Sequence, residues 1–351
     1  MKRIGIITIT GLGNYGNRLQ NYALQQTLEA LIDCRCETFV NRSCGMKGYI
    51  SRLLRPKKTE LSEREMCFQR FNDDYMHFSD IQINNFSKNR RLLQYDCLVC
   101  GSDQIWNSDY PENDRANFGY FFKNQKVISY AASFGTNTVS NAKQDRYAKY
   151  LKHLKAISVR EEKGREIAAR LSGRDDVYVH VDPTMLLNRE QWEAIEKRPK
   201  MYNGGKFILK YFLGEKNLEL ECELEDYARK HDLQVIDVIT KDSPYYGIGP
   251  LEFLYLEHNA EQIVTDSFHS CVFAIIFERP FAVACRKMSR HQDMGSRVDT
   301  LLDLFDMQNR RLQTGHMEEI FGKNISYSNV KNILEIEKEK SFHFLKENVL
   351  Y

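Results

Sequence analysis

Apolar residues fall into two rhythms along the chain. Residues 3–9 form an almost unbroken β-branched run, which predicts a strand buried on both faces. A glycine-rich turn, Gly11-Leu-Gly13-Asn-Tyr-Gly16-Asn17, follows it. Leu19, Ala23, Leu24, Leu28 and Leu31 then recur at helical spacing. This unit of strand, turn and helix returns: residues 95–100 run into Gly101-Ser102-Asp103, and residues 156–159 into Arg160-Glu161-Glu162. Further strands are expected at 177–181, 206–211, 234–239, 262–265 and 281–284, with helical segments between most of them. Strands alternating with helices predict an α/β protein with parallel sheets covered on both faces.

Two stretches interrupt the rhythm. Residues 41–65 are basic first (Lys47, Arg52, Arg55, Lys57, Lys58) and acidic after (Glu60, Glu63, Glu65), which reads as a solvated excursion. Residues 45–58 also interleave Tyr49, Ile50, Leu53 and Leu54 with the basic residues, a pattern suited to peripheral contact with a membrane surface. Residues 188–205, with Pro199 and Gly204-Gly205, mark a domain boundary between about 170 and 205. The expected organisation is a first domain over 1–180, a second over 181–327 and a C-terminal helix over 328–351.

Charge and composition narrow the classes. Fifty Lys and Arg against forty-eight Asp and Glu leave +2 over 351 residues, which argues against a nucleic-acid binder held by charge. The nine cysteines show no pairing plan and read as reduced thiols. No stretch approaches the run of about 18 apolar residues that a membrane span needs, and no signal core precedes the first strand. The expectation is a cytoplasmic protein.

In open α/β sheets ligands gather at the carboxyl ends of the strands. Residues 11–17 are one such place, where glycines let backbone N–H groups approach an anion at a helix start. Dinucleotide binding is disfavoured, because only Glu37 could supply the acidic ribose partner. Gly101-Ser102-Asp103-Gln104-Ile105-Trp106-Asn107 is a second place, with Asp103 either capping a helix or aimed at a ligand. Cys97 and Cys100 lie three apart on a strand, face opposite sides and cannot chelate a metal together. Thr265-Asp266-Ser267-Phe268-His269-Ser270 is the densest constellation. Asp266 or Ser267 can cap the apolar helix that follows, its free N–H groups can seat phosphate, and His269 lies in the first turn beside that seat. Arg286, Lys287, Arg290, His291 and Arg297 form a cationic run after the strand at 281–284.

Six segments occur in order: residues 13–25 (Gly-Asn-Tyr-Gly-Asn-Arg-Leu-Gln-Asn-Tyr-Ala-Leu-Gln), 101–107, Ser129-Tyr-Ala-Ala-Ser-Phe-Gly135, Val159-Arg-Glu-Glu162, Val181-Asp-Pro-Thr184 and Thr265-Asp-Ser-Phe-His269. Together they resemble the polysaccharide pyruvyl transferase family over about residues 4 to 310. The resemblance implies a GT-B-like fold, with two Rossmann-like domains facing across a cleft and a C-terminal helix that crosses back. It implies transfer of pyruvate from phosphoenolpyruvate to a sugar in capsular, exo- or cell-wall polysaccharide synthesis. Members often carry Arg-Leu-His-Gly where this chain has Ser267-Phe268-His269-Ser270, so one basic residue is missing at 267.

That reaction needs a proton donor for the methylene carbon of phosphoenolpyruvate, cations for its phosphate and carboxylate, and a base for the attacking hydroxyl. His269 is expected as proton donor, with Ser267 and Ser270 beside it. Arg160, Arg286 and Arg297 are expected to bind the anions, because a guanidinium fork matches both groups. Asp103 is the candidate base. Gly13, Asn14, Tyr15, Asn17, Gln104 and Trp106 are expected on the acceptor side, facing a sugar, glycoside or lipid-linked oligosaccharide. No cofactor is required beyond phosphoenolpyruvate as co-substrate, and no metal. Two other readings stay open: a GT-B glycosyltransferase using a nucleotide sugar, and a non-catalytic binding subunit of a polysaccharide assembly complex.

Overall fold

The β-branched run near the N-terminus becomes β1 (Lys2–Ile7), whose last four residues are buried. Gly5 sits mid-strand for a steric reason: a Cβ there would lie 2.3 Å from the Phe39 ring and 2.5 Å from Leu98 on the flanking strands. The computed structural model describes residues 1–41, 60–85, 87, 90–110, 115–122, 125–286 and 295–350. The expected membrane-surface segment at 45–58, and Lys287, Arg290 and His291 of the cationic run, lie outside the described residues.

The chain forms two compact units. One comprises Met1–Leu61, Asn72–Leu186 and Glu337–Tyr351, the other Ser62–Phe71 and Leu187–Ile336.

In the first unit β1, β2 (Cys34–Asn41), β3 (Phe78–Ile83), β4 (Cys97–Cys100) and β5 (Lys126–Ser129) make one sheet in the order β3-β2-β1-β4-β5, with every pair parallel. This is the strand order of a Rossmann fold. β6 (Ile157–Val159) and β7 (Val177–Val179) pair with each other, and bridges Ile128–Ala156 and Ala132–Val159 tie this pair to β5 and the segment that follows it. Helices α1 (Tyr15–Leu31), α3 (Asn141–His153) and α4 (Glu162–Ser172) separate strands along the chain, and α2 (Glu63–Tyr75) divides between the two units at Phe71 and Asn72. The core gathers Ile7, Phe39, Leu98, Ile105, Phe118 and Phe134.

Three strands of this sheet carry no clear apolar run. β2 contains Glu37, yet that carboxylate is buried; it accepts from Arg3 Nη2 (3.0 Å) and from Tyr95 Oη, which lets a polar residue stay inside a strand. β3 is an edge strand whose Asp80 and Gln82 alternate outward. β5 is only four residues long.

The second unit repeats the plan. Here β8 (Phe207–Tyr211), β9 (Gln234–Asp237), β10 (Gln262–Thr265), β11 (Phe281–Ala284) and β12 (Arg311–Leu312) order as β12-β11-β10-β8-β9, again all parallel. Helices α5 (Arg189–Glu193), α6 (Leu218–Lys230), α7 (Pro250–Asn259), α8 (Phe268–Ile276), α9 (Ser296–Leu304) and α10 (Met317–Phe321) complete it. Ser62–Phe71 joins this unit partly through Arg64, which is buried and donates to Val238 O (2.8 Å) and Tyr246 O (3.1 Å). The final helix α11 (Tyr327–Leu350) contributes to both units. Tyr327 Oη donates to Arg279 O (2.6 Å), and farther along Phe344 packs on His180 with ring centroids 4.7 Å apart. Among the described residues no helix is long and apolar enough to cross a membrane.

Candidate functional site

In an open parallel sheet the loops part in opposite directions where strand order reverses, and a ligand can enter there. In the first unit that point lies between β1 and β4. Thr8 follows β1; its hydroxyl donates to Ser102 O (3.0 Å) and accepts from Gln20 Nε2 (2.9 Å). Gln20 Oε1 in turn accepts from Ser102 N (3.1 Å). Gly101 has φ 127°, and a Cβ there would lie 2.2 Å from Tyr130 O, so this position needs glycine. Asp103 has φ 72°, rare for a residue with a Cβ.

Asp103 and Arg160 meet in a buried network. Arg160 follows β6 and donates to Asp182 Oδ2 (2.6 Å) and Asp103 Oδ1 (3.2 Å). Asp182 also accepts from Ser102 Oγ (3.0 Å), Thr184 N (3.0 Å) and Thr184 Oγ1 (2.8 Å). Burial works against the Arg160 charge, but Asp182, Asp103 and Glu161 outweigh it and raise its pKa. A guanidinium already held by two carboxylates positions Asp103 more readily than it clamps a ligand anion. Asp182 carries no role in the sequence reading, although its Asp-Pro-Thr segment is one of the ordered motifs.

The other first-unit residues divide. Gly13, Asn14 and Asn17 are half-buried at the start of α1, where Asn14 Oδ1 caps Asn17 N (3.0 Å). Gln104 is half-buried and accepts from Asn107 Nδ2 (3.0 Å). Tyr15 is buried. Trp106 lies wholly in the core, stacked on Phe118 (centroids 4.9 Å, planes 3° apart) with its indole N–H on Asn117 O (3.1 Å). An acceptor sugar has no face of Trp106 to meet; burial of a large aromatic outweighed the polar company that suggested a contact. Gly11, Gly13 and Gly16 do have dinucleotide spacing, but Glu37 is engaged by Arg3, Arg35 and Tyr95.

In the second unit the reversal lies between β8 and β10. Asp266 follows β10, and its two oxygens accept from Leu213 N (2.7 Å) and Gly214 N (2.8 Å) of the loop after β8. Arg286 donates to Asp266 O (3.0 Å) and lies 3.4 Å from its Oδ1. Asp266 thus ties a loop rather than capping α8. Ser267 holds the N-cap position without a side-chain cap bond. His269 is in the first turn of α8, buried, with its ring edge-on to Phe268 at 5.3 Å. Arg297 is buried in the first turn of α9.

Ser270 is fully buried, and its neighbour on α7 escaped the sequence reading. Glu257 is also fully buried, and among the described residues neither carboxyl oxygen has a hydrogen-bond partner of good geometry. Burial holds this carboxyl well above the usual range, with the Ser270 hydroxyl opposing it in part. Nothing in a lone Glu between apolar residues signals such a site; only packing reveals it.

A cavity of about 250 Å³ opens at the carboxyl ends of β8, β9 and β11. Lys210 within it is 3.1 Å from Glu221 Oε1 and 3.0 Å from Asp237 Oδ2, and Lys216 is 3.0 Å from Glu221 Oε2. Glu215, Glu221, Asp237 and Asp266 outnumber the two lysines, and His269 does not line it. This cavity is no electropositive slot for a doubly anionic molecule. Among the described residues no group of three or more His, Cys, Asp or Glu is placed to hold a metal ion.

Two Rossmann-like α/β units define a GT-B-like fold. A Listeria monocytogenes protein named provisionally as a UDP-N-acetylglucosamine 2-epimerase shares that fold, at 11% identity and TM-score 0.54 over 98% of this chain and 96% of that one. The UDP-GlcNAc 2-epimerase of Neisseria meningitidis, solved with UDP-GlcNAc, aligns over 100% of both chains at 11% identity and TM-score 0.49. No curated protein matches. The family model described as "Polysaccharide pyruvyl transferase" matches residues 14–284. The chain belongs to the polysaccharide pyruvyl transferase family.

Proposed function

We propose that the protein transfers a pyruvyl group from phosphoenolpyruvate to a pair of sugar hydroxyls, forming a cyclic ketal, in cytoplasmic steps of capsular, exo- or cell-wall polysaccharide synthesis. The family match from residue 14 to 284, which takes in His269 and its motif, carries this reading. His269 protonates the methylene carbon of phosphoenolpyruvate. The resulting cation-like carbon accepts the first hydroxyl, whose proton returns to His269; phosphate then leaves, taking up the proton of the second hydroxyl as that oxygen bonds to the same carbon and closes the ketal.

The donor belongs with the second unit. Ser267 and the N–H groups opening α8 suit a phosphate, with Arg286 and Arg297 supplying positive charge. The acceptor belongs with the first unit, at Gly13, Asn14, Asn17 and Gln104. Asp103, held by Arg160, is better suited to accept a hydrogen bond from the hydroxyl than to remove its proton, because a paired carboxylate is a weak base. Ser270 supports α8 from the inside. Arg160 and Trp106 are not retained as ligand contacts.

Labelled phosphoenolpyruvate, incubated with galactose- and mannose-type glycosides, is expected to release phosphate and yield a pyruvylated sugar. His269→Ala should lower the rate by about 10²-fold or more, the usual share of proton-transfer catalysis, while far-ultraviolet dichroism stays unchanged. Full activity in that variant would sink the assignment. Release of a nucleoside diphosphate from a nucleotide sugar, with no phosphate released from phosphoenolpyruvate, would move the function to glycosyl transfer.

A further inference from the structure

Arg18 lies four residues after the N-cap Asn14 of α1 and is 0% exposed. One of its terminal nitrogens, Nη2, donates to Gly11 O at a long 3.3 Å, which brings the guanidinium against the glycine turn. Among the described residues Nε and Nη1 have no hydrogen-bond partner. The guanidinium carbon sits 5.4 Å from the centre of the Phe78 ring. Among the described residues no carboxylate offsets its charge; burial alone lowers its pKa to about 10, so it stays a cation at neutral pH. A buried cation with unmade hydrogen bonds is costly unless something completes it.

The ground beside it is open. Gly11 is exposed, and a Cβ built there would meet nothing within 4 Å among the described residues. α1 is 17 residues long, so its dipole adds to the attraction for negative charge. An oxyanion reaching Arg18 displaces one long hydrogen bond and gains the unmet N–H groups of a fork suited to phosphate.

We propose that Arg18 and the turn at residues 11–14 form an oxyanion site and, resting on the pyruvyl-transfer reading above, that it holds the phosphate of an acceptor that is a glycosyl phosphate. A prenyl-linked sugar diphosphate and a nucleotide sugar share this chemistry.

Calorimetric titration of the full chain with galactose 1-phosphate and methyl galactoside, and with the mannose pair, tests it. For at least one sugar the 1-phosphate is expected to bind about ten- to hundredfold tighter than the methyl glycoside, as a charge-assisted pair allows. The gap should close in Arg18→Gln and narrow in Arg18→Lys. Equal binding in the unaltered protein, or a gap that survives Arg18→Gln, overturns the site. Of UDP-galactose and a short prenyl-diphosphate galactose, the one weakened by Arg18→Gln names the source; weakening of neither counts against the proposal. Should Arg18→Gln not fold, hydrogen exchange on the unaltered protein decides. The 1-phosphate should slow exchange over residues 11–18, and no slowing there rejects the site. Binding needs no turnover, so failure to release phosphate from phosphoenolpyruvate would strike the proposed reaction and leave this measurement valid.

Discussion

Arg160 and Arg18 lie in the same unit and are both hidden from water, at 3% and 0% exposure. Arg160 meets Asp182 and Asp103 at 2.6 and 3.2 Å, and its charge is reinforced. Arg18 meets one carbonyl, and its charge is weakened. A guanidinium paired with two carboxylates is scaffold, because a ligand would have to displace bonds already made inside the protein. An incomplete one marks a place where the folded chain still has an interaction to gain. Depth of burial does not separate the two cases; the accounting of partners does.

The largest expected effect breaks the completed case. Arg160→Met leaves Asp103 and Asp182 buried without their cation and should cost about 3–5 kcal/mol, read as a fall in the urea midpoint at unchanged slope. A loss below about 1 kcal/mol would show that the network does not depend on the pair.

Arg18→Met should do the reverse. It removes a buried charge that no carboxylate among the described residues offsets and fills the space with an unbranched apolar chain. Stability should rise by about 1–4 kcal/mol, the range for buried ion pairs replaced by apolar packing, read as a higher urea midpoint. A loss as large as that of Arg160→Met would show that Arg18 is structurally paired after all.

Glu257 extends the comparison to an acid and gives the smallest effect near its ordinary pKa. Folding raises this group above its usual 4.5, so the unfolded chain releases the proton first. Above that pH the native state holds more protons, and stability should fall with rising pH by up to about 1.4 kcal/mol per unit until the folded value is passed. Glu257→Gln should remove that component. Parallel stability curves for the two proteins between about pH 5 and pH 8 would rule out a neutral buried acid.

Much of the architecture could be read directly from the chain. Apolar runs ending in Gly11, Gly101, Arg160 and Asp266 marked the strands whose carboxyl ends matter, because a strand buried on both faces leaves a continuous apolar signal. β2, β3 and β5 were harder to see. Glu37 interrupts the first, solvent alternation weakens the second at the sheet edge, and the third is short.

Side-chain roles were less legible. The motif around Asp103 contained both a network residue and Trp106, a core residue, and nothing in the local sequence separates them. Likewise the letters Asp266-Ser267 suggest a helix cap, while the fold spends the Asp266 carboxylate on backbone N–H groups at Leu213 and Gly214, more than fifty residues earlier.

The amino-acid order by itself determined the alternation of strands and helices, the parallel sheets and the family. These rest on periodicity and on short contiguous motifs, which are local properties. Only the tertiary structure decided that Arg160 is paired with two carboxylates, that Arg18 meets none among the described residues, and that Glu257 lies sealed near Ser270. Whether a buried charge has a partner depends on side chains distant in sequence, and a linear reading contains no distances.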